Sequence, residues 1–170
     1  NKLIAYNNAK RVIKLTKCDA IKLEGGIKIV NIIKYLVKKG IPVVGHVGLM
    51  PQTSINFKVK GKNFFQKKKI LKDALAISNS GAFAIIIECV VENLARKITK
   101  SVSIPTIGIG ASRYCDGQIL VTEDMLGLSD FSPKFVKQYT NLNKIMEKSI
   151  KNYVKDVKMR RFPSFKNVYK

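Results

Sequence analysis

Acids, histidine and paired cysteines are all scarce in this chain. It carries 11 Asp and Glu against 32 Lys and Arg, with one histidine and three cysteines in 170 residues. Cys18, Cys89 and Cys115 are odd in number, far apart and free of CxxC spacing. That argues against a disulfide framework and against a cysteine-built zinc site. No apolar run approaches the ~18 residues that a membrane span requires, and no signal-like segment opens the chain. The expected setting is therefore soluble, reducing and cytoplasmic, with no membrane partner. Internal repeats and low-complexity tracts are missing as well.

Arginine is also sparse, at 5 residues against 27 lysines. A net charge of +21 would otherwise suggest a nucleic-acid partner. Phosphate and base-edge recognition favours the arginine fork, and the lysines here are scattered along helices rather than gathered in a stripe. Lys, Ile and Asn make up 60 of the 170 residues, and all three have AT-rich codons. The charge reads as compositional drift, and no specific nucleic-acid partner is expected. A basic module for nucleic acid or an anionic surface stays as an alternative reading.

What the sequence does have is an alternation of short apolar strands with amphipathic helices. The opening 20 residues read as helix. Strands are expected at Asp19–Glu24, Pro42–Gly48, Ala82–Cys89, Pro105–Ala111 and Gln118–Val121. Between them, Ile29, Ile33, Leu36 and Val37, then Ile70, Leu71, Ala74 and Leu75, then Val91, Leu94, Ala95 and Ile98 repeat at helical spacing. Four of the five strands are nearly continuous in Val and Ile, as in parallel strands buried on both faces. Strand–helix alternation implies βαβ units and an α/β fold. From Ser132 the tail reads as two more helices, the second carrying Leu142, Ile145, Met146, Ile150, Tyr153 and Val157, followed by a loose basic end from Arg160.

Charge placed inside such strands is informative, because an isolated buried charge costs several kcal/mol or more. Lys22 and Glu24 share one strand face, and His46 and Glu88 lie near the ends of the next two strands. In a (β/α)8 barrel the C-terminal strand ends build the active site. Each residue also has a plainer reading. Lys22 and Glu24 could neutralise each other, His46 could be a satisfied core histidine, and Glu88 could cap the helix that follows it. Gly108–Ser112 (GIGAS) could admit an anion to backbone N–H groups or ease strand–helix packing. The polar stretch Leu49–Asn63, with Gln52, Thr53, Ser54 and Asn56, has the length of a lid or binding loop.

Taken in order, IKLEGG (Ile21–Gly26), PVVGHVGLMPQ (Pro42–Gln52), IIIECV (Ile85–Val90), IPTIGIGAS (Ile104–Ser112), DGQILVTEDMLGL (Asp116–Leu128) and PKFVKQY (Pro133–Tyr139) resemble the motifs of the ketopantoate hydroxymethyltransferase family. The resemblance runs from about Asn8 to Tyr139. It implies a (β/α)8 TIM barrel of the phosphoenolpyruvate/pyruvate type, of which this chain would hold about the last five strands. Residues 1–170 are then expected to form one partial barrel domain with C-terminal helices from about 132. A barrel of about 250 residues would leave the chain roughly 80 short, with the first three strands missing.

The resemblance also implies a reaction of pantothenate biosynthesis. A hydroxymethyl group passes from 5,10-methylenetetrahydrofolate to 3-methyl-2-oxobutanoate, giving 2-dehydropantoate, with magnesium chelating the 2-oxo acid. By motif, Glu88 corresponds to the catalytic base and Glu24 to an acid at the magnesium. Lys22 and His46 correspond to substrate-binding residues. The intact protein is expected to be a homo-oligomer. Two departures stand out: the family's acids on the first three strands have no counterpart here, and Val91 occupies a position that is commonly proline. The alternatives are a related metal-dependent 2-oxo-acid lyase barrel and an inactive remnant, whose open sheet edges would leave the segment poorly stable or prone to aggregate.

Overall fold

The computed structural model describes residues 1–52 and 58–169. Its order begins α1 (Lys2–Thr16), β1 (Ile21–Glu24), a 3-10 turn (Gly26–Ile29), α2 (Val30–Lys38), β2 (Val43–Gly48) and α3 (Phe64–Ser78). It continues β3 (Ala84–Glu88), α4 (Glu92–Ser101), β4 (Thr106–Ile109), β5 (Gly117–Gln118), α5 (Thr122–Leu126) and α6 (Leu142–Lys158). The five strands make one parallel sheet in the order β1-β2-β3-β4-β5. β1 and β5 are its edges, so the sheet is an open α/β arc rather than a closed barrel.

Alternate residues decide the two faces of the sheet. Val43 and Val47 of β2 and Ile85 and Ile87 of β3 point to the helix layer and are at most 3% exposed. They meet Ile33 and Leu36 from α2, Ala74 and Ile77 from α3, and Ala95 and Ile98 from α4. Each fully buried Val, Leu or Ile among them stabilises the fold by about 1.5–3 kcal/mol. Gly45 lets α3 seat on β2, because a Cβ there would lie 2.2 Å from Ile77 Cγ2.

The other face differs from the expectation of strands buried on both sides. Val44, Ile86, Ile107 and Ile109 are only half-buried, and Lys22 is exposed. An arc of five strands has no opposite wall to cover that face.

Residues Asn1–Ile119 form one compact unit and Leu120–Lys170 a second. Within the second, only one of the two helices expected after Ser132 is present, α6, capped by the Asn141 side chain. The Pro133–Tyr139 run makes a turn instead, Val136 N–H donating to Pro133 O and Tyr139 N–H to Met125 O of α5. A helix of so few residues nucleates poorly, and the bond to α5 competes with it. The last strand is shorter than expected, since Val121 already caps α5. The basic end holds a 3-10 turn, Phe165–Asn167, with a capping box at Ser164.

Candidate functional site

Parallel register brings the charged strand residues to one end of the sheet. Glu24 pairs with His46 across β1 and β2, and Gly48 pairs with Glu88 across β2 and β3. The four candidates thus become neighbours although they are spread over 67 positions in sequence. Lys22 Nζ lies 3.9 Å from Glu24 Oε1. On the other side, His46 Nδ1 lies 3.9 Å from the same oxygen, and His46 Nε2 lies 3.4 Å from Glu88 Oε2. The order in space is Lys22, Glu24, His46, Glu88.

His46 is fully buried, and its Nε2 is 2.6 Å from the carbonyl oxygen of Leu49. A carbonyl can only accept, so Nε2 carries the proton and donates. Burial in particular holds the imidazole below its ordinary pKa of 6.5. The Leu49 bond opposes the shift, Lys22 adds to it, and Glu24 opposes it. The neutral ring then leaves Nδ1 as a bare acceptor on the Glu24 side, and Nδ1 has no hydrogen-bond partner among the described residues.

Glu88 ends β3 with its side chain 15% exposed. Burial pushes its carboxyl above the ordinary 4.5; Lys22 pulls it down and Glu24 pushes it up. A raised carboxyl is a stronger base once ionised, which suits proton abstraction next to a carbonyl. The chain around it is tightly fixed. Leu49 N–H donates to Glu88 O, Cys89 N–H donates to Ile109 O, and Cys89 adopts a φ of 49°. A Cβ on Gly48 would lie 2.1 Å from Glu88 O, so glycine is required where β2 passes Glu88.

The donor set bears on a metal. Glu24 Oε2 is buried and lacks a hydrogen-bond partner among the described residues. A carboxylate oxygen left in that state is costly unless a cation or a water meets it, and magnesium prefers oxygen donors while keeping several waters. Among the described residues no group of three or more His, Cys, Asp or Glu is arranged to hold a metal. Glu24 fits a single carboxylate contact, not a whole site.

Other expectations resolve differently. Gly108 packs close: a Cβ would meet Gln118 Oε1 at 2.9 Å and Cys115 Sγ at 3.1 Å. Those neighbours lie on β5 and the loop before it, so the crowding at Gly108 is against a strand and a loop rather than the helix that the packing reading of GIGAS expected. Within the long polar stretch, Gln52 is exposed, while Thr53, Ser54 and Asn56 lie outside the described residues. No described helix is long and apolar enough to cross a membrane.

Sequence reasoning missed Asp73, which is 6% exposed in the middle of α3. Its signal was an acid on the stripe Ile70, Asp73, Ala74, Ile77, which follows the i, i+3, i+4, i+7 pattern of a buried face. The hydrogen bonds of Asp116 left no signal in the sequence: its carboxylate accepts from both N–H and Oγ of Thr106 and ties the start of β5 to β4.

Comparisons with known proteins identify the family. Residues 1–165 match the family model described as ketopantoate hydroxymethyltransferase. A 3-methyl-2-oxobutanoate hydroxymethyltransferase of Pelagibacter ubique is 50% identical over 165 residues, covering 97% of this chain and 64% of that protein. Proteins of the same name from Phenylobacterium zucineum and Bartonella henselae are 51% and 54% identical, covering 97% and 98% of this chain. The chain spans 61% and 62% of the length of those two relatives.

Proposed function

The chain belongs to the ketopantoate hydroxymethyltransferase family, and from that membership we propose that it supplies the base-bearing part of a hydroxymethyltransferase site. The reaction is transfer of a hydroxymethyl group from 5,10-methylenetetrahydrofolate to 3-methyl-2-oxobutanoate, giving 2-dehydropantoate for pantothenate synthesis. The observation that carries the reading is the line of Lys22, Glu24, His46 and Glu88 across three adjacent strand ends.

Glu88 takes the proton from C3 of the 2-oxo acid, and the C–H electron pair moves into the enolate. Its raised pKa supports that role. Lys22 keeps positive charge beside the anionic substrate. His46, held neutral and donating to Leu49, keeps Nδ1 as an acceptor on the Glu24 side and flanks Glu88 without protonating it. Water releases the one-carbon unit of the folate as formaldehyde, both C–N bonds breaking to leave tetrahydrofolate. C3 of the enolate then bonds the formaldehyde carbon, the C=O electron pair moves to its oxygen, and that oxygen takes a proton to become the hydroxyl. Glu24 Oε2 would hold magnesium, directly or through water, together with acids that the described residues do not include. Magnesium, when bound, supplies Lewis acidity at the 2-oxo group. The working form we propose is a cytoplasmic homo-oligomer.

Exchange of the C3 proton of 3-methyl-2-oxobutanoate for deuterium tests the base without folate. In the full chain with magnesium present, Glu88→Gln should abolish exchange, and unchanged exchange overturns the assignment. Product formation that requires the folate separates this reaction from that of a 2-oxo-acid lyase.

A further inference from the structure

The turn after β1 is unusually constrained, and the constraint comes from α3. Glu24 is followed by Gly25 at a φ of 142° and Gly26 at a φ of 58°, conformations that side chains other than glycine rarely adopt. A Cβ on Gly26 would lie 2.6 Å from Asp73 Cγ, and one on Gly25 would lie 2.6 Å from Ile29 Cγ2. The backbone therefore lies directly on the Asp73 carboxylate. Ile27 N–H donates to Asp73 Oδ1 at 2.9 Å, and Lys69 Nζ donates to Oδ2 at 2.8 Å. Asp73 and Glu24 line one cavity, together with Gly25, Ile27 and Met50.

A buried carboxylate in mid-helix needs such partners, because burial without them costs several kcal/mol. Lys69 is 67% exposed at its side chain, and an exposed i,i+4 pair of this kind contributes little. The Ile27 bond and the contact with Gly26 are the specific part of the arrangement. Both fall within three residues of Glu24.

We propose that Asp73 is a positioning residue for Glu24: its carboxylate clamps the Gly25–Gly26 turn and so fixes where the Glu24 side chain leaves β1. The proposal rests on the reading of Glu24 as a site residue. Asp73 does not touch substrate; it acts through the backbone.

A double-mutant cycle in the full chain tests this. Asp73→Ala should lower the rate constant of C3 proton exchange by about tenfold or more, the scale of loss expected from a misplaced site group, with a smaller change in KM. Asp73→Asn keeps an oxygen that accepts from Ile27 N–H and should restore most of the rate. In a Glu24→Gln background Asp73→Ala should cost little more. Amide hydrogen exchange of the metal-free protein gives a second readout: Asp73→Ala should speed exchange across residues 25–29 and leave β2 and β3 protected. Additive losses, or equal loss in Asp73→Asn and Asp73→Ala, overturn the positioning role alone. If Glu24→Gln leaves the rate unchanged, the reading of Glu24 fails and the proposal falls with it. Loss of protection throughout the sheet would make Asp73 a general stability residue and would also overturn it.

Discussion

The imidazole Nε2 of His46 lies 2.6 Å from the carbonyl oxygen of Leu49, and this one contact fixes the tautomer of the only histidine in the chain. Burial, working against that contact, sets how the histidine responds to pH. The folded-state pKa of His46 is lowered chiefly by burial. The stability tied to its neutral form is therefore full above pH 6.5 and is lost as pH falls through the lowered folded value. Glu88 has the opposite sign. Its folded pKa is raised, so the stability tied to its protonated form is full below about 4.5 and is lost as pH rises through the raised value. Denaturant titrations across pH should show His46→Phe removing part of the acid-side loss. The same variant should lower stability near neutrality by about 1–3 kcal/mol, because Leu49 O loses its donor. A parent-like acid limb in His46→Phe would contradict the assignment.

Lys22 sits at the far end of the line but acts on Glu88 through its charge. It lowers the pKa of Glu88 against the larger effect of burial. Lys22→Gln should therefore move the acid limb of the C3 exchange rate to higher pH, since Glu88 then needs a higher pH to ionise. The substitution should also weaken binding of the anionic 2-oxo acid, read as a raised KM. Lys22 is 44% exposed at its side chain, so solvent and salt screen the effect, and the shift should shrink as ionic strength rises. A limb that stays in place at low salt would remove Lys22 from the electrostatics of Glu88.

Gly48 and Gly40 both have positive φ, at 99° and 77°, yet they should respond differently to alanine. Around Gly40 a Cβ meets nothing within 4 Å, whereas at Gly48 it would lie 2.1 Å from Glu88 O and 2.6 Å from Val90 Cγ2. Gly40→Ala should cost only the conformational penalty, about 1–2 kcal/mol. Gly48→Ala should cost more and should also reduce C3 exchange, because the strand bearing Glu88 must shift. Comparing unfolding free energies and exchange rates of the two variants checks this. Equal stability losses with unchanged exchange would mean that the β2–β3 approach tolerates a methyl group.

Much of this arrangement was legible from charge and period. Lys22, Glu24, His46 and Glu88 stood out because charges interrupt Val- and Ile-rich strands, and parallel pairing then made them neighbours. The parallel pairing followed from the alternation with helices. Three things were not legible. The half-open face at Val44, Ile86 and Ile107 depends on what lies opposite, which apolar content alone does not encode. The turn at Pro133–Tyr139 depends on a backbone bond to α5, and such bonds leave no side-chain pattern. Asp73 carried a signal, an acid on an apolar stripe, but its partner Ile27 N–H is backbone 46 residues away.

At the β5 edge, Asp116 makes a prediction of its own. Its carboxylate accepts from Thr106 N–H at 2.8 Å and from Thr106 Oγ at 2.9 Å. These bonds, the backbone one first, hold its pKa below the ordinary 3.8. With a folded pKa below the unfolded one, the contribution is full above 3.8 and is lost as pH falls through the lowered value. The residue is exposed, so solvent competes for the same hydrogen bonds and the gain should be modest. Asp116→Ala should cost about 1 kcal/mol near neutral pH and less below the folded pKa, where the neutral carboxyl keeps an acceptor but no charge. It should also raise amide exchange at Thr106 and Gly117, where β5 pairs through only two registered positions. Asp116→Asn keeps an acceptor but no charge and should fall between the parent and the alanine variant. Protection at Thr106 and Gly117 unchanged in Asp116→Ala would show that the strand pairing, not the carboxylate, holds this edge of the sheet.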